Sequence, residues 1–502
     1  MKSLQRQTQR ILDEAKSDEI EVIVQMPSQR VEPLRLARAA GEALARRRLS
    51  LSPRDVLPEP YKASPPRAQT ETASMHALMG RAAAEALGLA QIQKIGSSPI
   101  KALERNSIVQ TVLSRMTQPA TKSGGPKPRP GRFWTSSSIL LSLKKDELKN
   151  LTDELPNIQS VSPNRRLVLP PTKESKPLAL EQSELLVSTW GLEYSEALAA
   201  WGAFGTRGKG VTIGLLDTGV DDTHPDLADR IAKWAEFDGK GARIDGSKPH
   251  DSDEHGTHCA GTLVGGRTSG RCIGMAPEAK LAAALVLNGE HGGTDAQVLA
   301  GIDWIVESKA DVLSLSLGGL VMDVETPSTY TEAILTCLEV GVPVVAAIGN
   351  EGHQTTGSPG NDLFALSVGA IDHQGRVAGF SGGRTQIIRE SEYIAAKYLP
   401  LAYSKPDLSA PGVAVLSSVP DGKWKSLNGT SMATPHVAGA IALLLSATSI
   451  REKEEGTRRA FVIQDLITGS VDDAGESGQD HRYGFGTLNV LRAIDVARQR
   501  GY

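Results

Sequence analysis

The chain has 502 residues, 40% apolar and 23% charged, which allows a sizeable core and excludes wholesale disorder. Its length suggests two or three domains. A formal net charge of −3 gives no global electrostatic case for nucleic acid, and three cysteines (Cys259, Cys272, Cys337) cannot make a disulfide framework.

The first residues, MKSLQRQTQRILDEAKSDEIEVIV, are charged throughout and lack the apolar core of a secretory signal. No run approaches the about 18 uncharged apolar residues of a membrane span. A cytoplasmic location, without membrane or nucleic-acid partners, is the expectation. Residues 19–26 (EIEVIVQM) alternate as a strand does. A basic amphipathic helix is predicted over 33–48, opened by Pro33, then a proline-rich stretch over 49–70 and a second helix over 75–92. Residues 117–132 (TQPATKSGGPKPRPGR) read as a Pro/Gly/basic loop. A strand at 135–143, a helix at 145–154 and a strand at 158–169 follow, stopped by Pro170 and Pro171. Residues 1–171 thus read as a small β-α-β layer with a long insertion, 172–184 as a polar linker and 185–502 as a second domain.

From about residue 185 the texture changes. VTIGLLD (211–217), KLAAALVL (280–287), ADVLSLSLG (310–318) and VPVVAAIGN (342–350) are nearly continuous apolar runs, as in strands buried on both faces of a parallel sheet. Helical stretches at 294–308 and 328–340 lie between them, so the class is α/β with crossover helices. Sites in such sheets sit at the carboxyl ends of the strands.

Three constellations carry chemistry. VTIGLLD ends in Asp217, an acid placed either to orient a histidine or simply to end a turn. HGTHCAGT (255–262) puts His255 at the start of a small-residue helix, where an imidazole exchanges protons near neutrality. His255, His258 and Cys259 also offer a metal alternative, although no further pair at ligand spacing follows. NGTSMATPHVAGA (428–440) offers Thr430 as a helix cap and puts Ser431 in the first turn, where unpaired N–H groups and the helix dipole stabilise an oxyanion.

Taken together, DTGVDDTHPDL, HGTHCAGT, SLGG, GNEG, APG and GTSMATPHVAGA stand in an order that resembles the subtilisin-like (subtilase) serine peptidases over roughly 188–497. The resemblance implies a three-layer domain with a mostly parallel sheet that hydrolyses polypeptides. Ser431 would be nucleophile, His255 general base and Asp217 its orienting carboxylate, with Asn350 and the Ser431 N–H as the oxyanion hole. Ser316, Leu317, Gly318 and Gly319 match the strand to which the family pairs a peptide, and the stretch Leu285–Gly289 matches the opposite wall. Ala347, Ile348, Gly349 and Gly357 match the pocket for the side chain before the cut. An apolar or aromatic side chain is expected there, with Glu351 at the rim able to admit a basic one. No cofactor is required for the chemistry. Asp226 matches a structural calcium ligand, against which Arg267 and Arg271 in the neighbouring loop weigh. Residues 383–404 stand as an insertion, read as a plain loop in preference to a surface extension that shapes the cleft or docks a partner.

Residues 136–170 resemble the closing strand–helix–strand of a subtilase propeptide, a small α+β domain that inhibits its own peptidase in a precursor; a separate regulatory or adaptor domain is the alternative. The rival readings are a catalytically silent peptide-binding scaffold and an enzyme for non-peptide esters.

Overall fold

Seven strands form one sheet in the spatial order Leu408–Pro411, Leu366–Ile371, Val344–Ala347, Val312–Leu315, Thr212–Asp217, Lys280–Leu285 and Ile231–Glu236, every pair parallel. The computed structural model describes residues 2–27, 81–117, 131–169, 172–176, 187–321, 329–391, 393–394, 396 and 399–502. The helix expected over 33–48, the stretch 49–70, the start of the helix at 75–80 and most of 117–132 and 172–184 lie outside them.

The apolar runs behave as a doubly covered sheet requires. Ile213, Leu215, Leu281 and Ala283 enter one core, while Leu216, Ala282 and Ala284 enter the other. Successive residues point to opposite faces, and both faces are buried. The first face is covered by the helices His255–Val264, Thr430–Ala447 and Val490–Gln499, the second by Asp295–Glu307 and Thr331–Glu339. Thr430–Ala447 is long and apolar enough to cross a membrane, yet 89% of it is buried in this three-layer interior. The chain fills the sheet to one side of Thr212–Asp217 and then to the other, so the carboxyl end of that strand lies by the reversal of strand order.

The N-terminal residues form an antiparallel sheet in the order Arg132–Phe133, Ser138–Lys144, Glu19–Gln25, Ser160–Pro163. Val22, Val24, Ile139 and Leu141 pack on the helices Lys2–Glu14, Ser107–Met116 and Lys145–Glu154. Ile23 and Leu140, one step along each strand, join Phe133 and Trp134 in the core shared with Asp295–Glu307 and Thr331–Glu339. This layer is therefore clamped between its own helices and those of the large sheet.

The strand expected over 158–169 is in fact two. Ser160–Pro163 stays with the small sheet, and Arg166–Leu167 pairs with Gly293–Thr294 beside the large one. Asn164 and Arg165 make the change: Asn164 Oδ1 accepts the Ala296 N–H, and Arg165 binds Asp295 with two guanidinium nitrogens. The strand expected from 135 begins at Ser138, because the N–H groups of Trp134 and Thr135 turn to Asp303 instead.

Candidate active site

Asp217 ends its strand fully buried. Its Oδ1 accepts Nδ1–H of His255 at 2.7 Å and the N–H of Thr218 at 2.8 Å. The helix that carries His255 comes this close because Gly256 follows it: a Cβ there would stand 2.0 Å from the Gly219 carbonyl oxygen. Asp251, which sequence reasoning missed, braces the same junction. It accepts Thr218 Oγ1–H at 2.7 Å and the Thr257 N–H at 2.7 Å, and burial pushes its carboxyl up to about 6. In the sequence it is one acid in a polar run, with no pattern to single it out.

Burial alone would push the His255 imidazole down. The adjacent Asp217 carboxylate outweighs it and holds the pKa well above the ordinary 6.5. His255 Nε2 and Asp217 Oδ2 are buried without a hydrogen-bond partner among the described residues. His258 points elsewhere, its Nε2 between the carbonyls of Val415 and Lys425, and burial pushes its pKa down to about 3. Ligand atoms of Asp217, His255 and Cys259 lie within 4.8 Å of one another, and within that group His255 Nδ1 is committed to Asp217 as a donor, so that nitrogen is not a metal ligand.

Ser431 is the second residue of Thr430–Ala447. Gly429, not Thr430, occupies the cap position. Thr430 instead donates both its N–H and its hydroxyl to Asn350 Oδ1, at 2.8 and 2.9 Å. The Asn350 carboxamide oxygen thereby caps the helix, and its Nδ2 lies 3.3 Å from where a Cβ on Gly429 would stand. Ser431 Oγ donates to the Ser316 carbonyl at 3.1 Å, while its own carbonyl accepts Ser316 Oγ–H at 2.9 Å. Cys259 links the parts: Sγ is 3.9 Å from His255 Nδ1 and 3.5 Å from the Ser431 oxygen. Burial pushes that thiol's pKa up, which keeps it protonated.

Residues 166–168 and 173–174 pair with runs of chain that belong to the second half of the sequence. Upstream, Arg166–Leu167 pairs with Gly293–Thr294 on one side, and Val168 bridges Gly318 on the other. Leu167 lies against Gly319. Downstream, Lys173–Glu174 pairs with Leu427–Asn428. Residues 170 and 171 lie outside the described residues. Leu285 is buried at the end of its sheet strand, and Gly293–Thr294 rather than Leu285 pairs with Arg166–Leu167. Ala347, Ile348 and Leu317 are buried. Gly349 and Gly357 come together beside Gly319, because Thr356–Ser358 pairs with Gly319–Val321. Asp226 Oδ1 accepts the Thr268 N–H at 2.6 Å and Oδ2 accepts Trp424 Nε1–H at 2.7 Å. Its two oxygens face N–H donors, which do not fit a calcium site.

This fold, with an acid, an imidazole and a hydroxyl brought to one edge of a parallel sheet, defines a class. The model of the subtilase family matches residues 208–486, and the chain belongs to that family. It is a serine endopeptidase. It is 37% identical over 261 residues to an intracellular serine protease of Paenibacillus polymyxa, covering 51% of this chain and 72% of the relative. It is 36% identical over 263 residues to the major intracellular serine protease of Bacillus subtilis (strain 168), covering 51% and 74%. Subtilisin DY of Bacillus licheniformis is 33% identical over 299 residues, 58% of this chain and 93% of the relative.

Proposed function

We propose that Asp217, His255 and Ser431 are the catalytic triad of this endopeptidase, with Asn350 and the Ser431 N–H as its oxyanion hole. The observation that carries the reading is the 2.7 Å bond from His255 Nδ1 to Asp217, which leaves Nε2 as the ring nitrogen without a partner, the one that takes the Ser431 proton when the ring is neutral. Ser431 rotates from the Ser316 carbonyl to Nε2 and gives up its proton as it attacks the scissile carbonyl. Asp217 holds the tautomer and stabilises the imidazolium. Charge growing on the carbonyl oxygen meets Asn350 Nδ2 and the Ser431 N–H, a first-turn donor with no partner in the helix. The imidazolium then protonates the leaving amine, and water repeats the sequence on the acyl-enzyme.

The chain is made as a self-inhibited precursor: 1–171 as inhibitory domain, 172–184 as connection and 185–502 as peptidase. Pairing of Val168 with Gly318 and of Lys173–Glu174 with Leu427–Asn428 supports this, since Gly318 belongs to the run read as pairing a peptide and Asn428 stands three residues before Ser431. With Ser431 turned to Ser316, the nucleophile is off its base in this arrangement. Polypeptides are the substrates, and the names of the two intracellular relatives favour the cytoplasm as the site of action.

Ser431→Ala is expected to leave an intact 502-residue chain and to lower peptide turnover about a millionfold. Self-cleavage or ready turnover by the purified variant overturns the assignment.

A further inference from the structure

Between Gly383 and Pro406 the chain forms an antiparallel hairpin, Arg384–Ile388 against Leu401–Lys405, where the sequence suggested a plain loop. Gln386, Ile394, Leu401 and Lys405 are buried, which a plain surface loop would not allow. The hairpin holds one stretch, residues 354–365. Gly383 N–H donates to the Thr355 carbonyl at 2.9 Å, and Gln354 N–H to the Gly383 carbonyl at 3.0 Å. Gln386 Nε2 donates to Thr356 Oγ1 at 2.7 Å, a bond buried at both ends. Tyr403 OH donates to the Asn361 carbonyl at 2.8 Å, and Lys405 Nζ to the Ala365 carbonyl at 2.7 Å.

That stretch contains Thr356–Ser358, the partner of Gly319–Val321. Four runs of chain therefore stand in order: the segment through Val168, then Gly318–Val321, then Thr356–Ser358, then the hairpin. Gly319–Val321 and Thr356–Ser358 pair directly, and Gly319, Gly349 and Gly357 bring no side chains to stiffen that surface. Its position is held from the hairpin side. At its other end the hairpin reaches the N-terminal layer, where Gln159 Nε2 donates to Tyr393 OH at 2.6 Å.

We infer that this hairpin sets the substrate preference, with Gln386 as a positioning residue that fixes the pocket wall through Thr356, and that Tyr393 extends the same hairpin into the docking site of the N-terminal layer. The inference rests on the reading of Gly318–Gly319 and Gly357 as the substrate wall. The peptide favoured is one whose side chain before the cut fills a slot of fixed width.

The test measures, on the full-length chain, the ratio of kcat/KM for peptides with a large and a small side chain before the cut. That ratio does not depend on how much of the chain is undocked. Gln386→Ala and Thr356→Val are each expected to change it about tenfold, and the double variant no further, because both remove one buried bond. Thr356→Ser keeps the hydroxyl and keeps the wild-type ratio. An unchanged ratio in Thr356→Val, or equal shifts in Thr356→Val and Thr356→Ser, overturns the inference even if Gln386→Ala fails to fold. Tyr393→Phe is expected to raise basal turnover about threefold with the ratio unchanged, by loss of one hydrogen bond. Unchanged turnover removes the Tyr393 part. A wild-type chain that cleaves no peptide at all even after the 172–184 connection is cut would instead count against the peptidase reading beneath it.

Discussion

Asp217, at the edge of the large sheet, and Asp303, at the seam with the N-terminal layer, are both buried aspartates, and they are treated in opposite ways. Asp217 receives His255 and one N–H, and its second oxygen is left without a partner among the described residues. Asp303 receives the N–H groups of Trp134 and Thr135 and the Thr135 hydroxyl. A buried polar atom without a partner is destabilising, so folds retain one mainly where function uses it. Both oxygens of Asp303, by contrast, are occupied, as a carboxylate that holds another part of the chain should be. Asp226 belongs with the second kind, with both oxygens facing N–H donors.

The largest expected effect strikes the unsaturated aspartate. Asp217→Asn keeps the shape but favours the wrong His255 tautomer, and kcat is expected to fall about 10⁴-fold with little change in unfolding midpoint. A drop of less than about tenfold would put Asp217 with the structural carboxylates.

The seam is expected to respond to pH. Burial pushes Asp303 up to about 7, and Glu307 beside it is raised as well, also by burial. Once the layer undocks, Asp303 returns to the ordinary carboxylate range of about 3.9. Docking therefore takes up a proton: its contribution is full below the ordinary value and is lost as pH rises through about 7. In the Ser431→Ala chain, hydrogen-exchange protection at Trp134 and Thr135 should fall over that range, and Asp303→Asn should flatten the slope. Protection that rises with pH in the unaltered seam would reverse the argument.

The smallest effect belongs to Asp226. Trp424→Phe is expected to lower the unfolding free energy by about 1–2 kcal/mol by removing one donor to a carboxylate. Calcium should not restore it. Restoration by calcium, read as a thermal midpoint, would show that Asp226 takes a cation.

Much of this arrangement was legible in the sequence for a physical reason. Buried parallel strands announce themselves as apolar runs, so Thr212–Asp217 and Val344–Ala347 were visible with the site residues at their ends. The edge strand Ile231–Glu236 was missed because only Ala235 is fully buried and Ala232 and Lys233 are exposed (IAKWAE). The helix Lys2–Glu14 was missed because its apolar stripe is only Leu4, Ile11 and a partly buried Leu12 in a charged stretch. Partner choice was not legible. Nothing local says that Asn350 rather than a cap residue would accept the Thr430 N–H, that Arg166–Leu167 would leave the small sheet, or that residues 384–405 would fold back on the pocket wall. Those outcomes depend on which surfaces the rest of the fold brings within reach.

The central claim is that one hydroxyl, at the start of the helix Thr430–Ala447, is activated by His255 and screened by the chain's own N-terminal segment. Labelling with a serine-directed fluorophosphonate, followed by mapping of the adduct, tests it most directly. The account expects a single adduct on Ser431, formed slowly in the intact chain and much faster once the 172–184 connection is cut. No adduct after cutting, or an adduct on another residue, would contradict it.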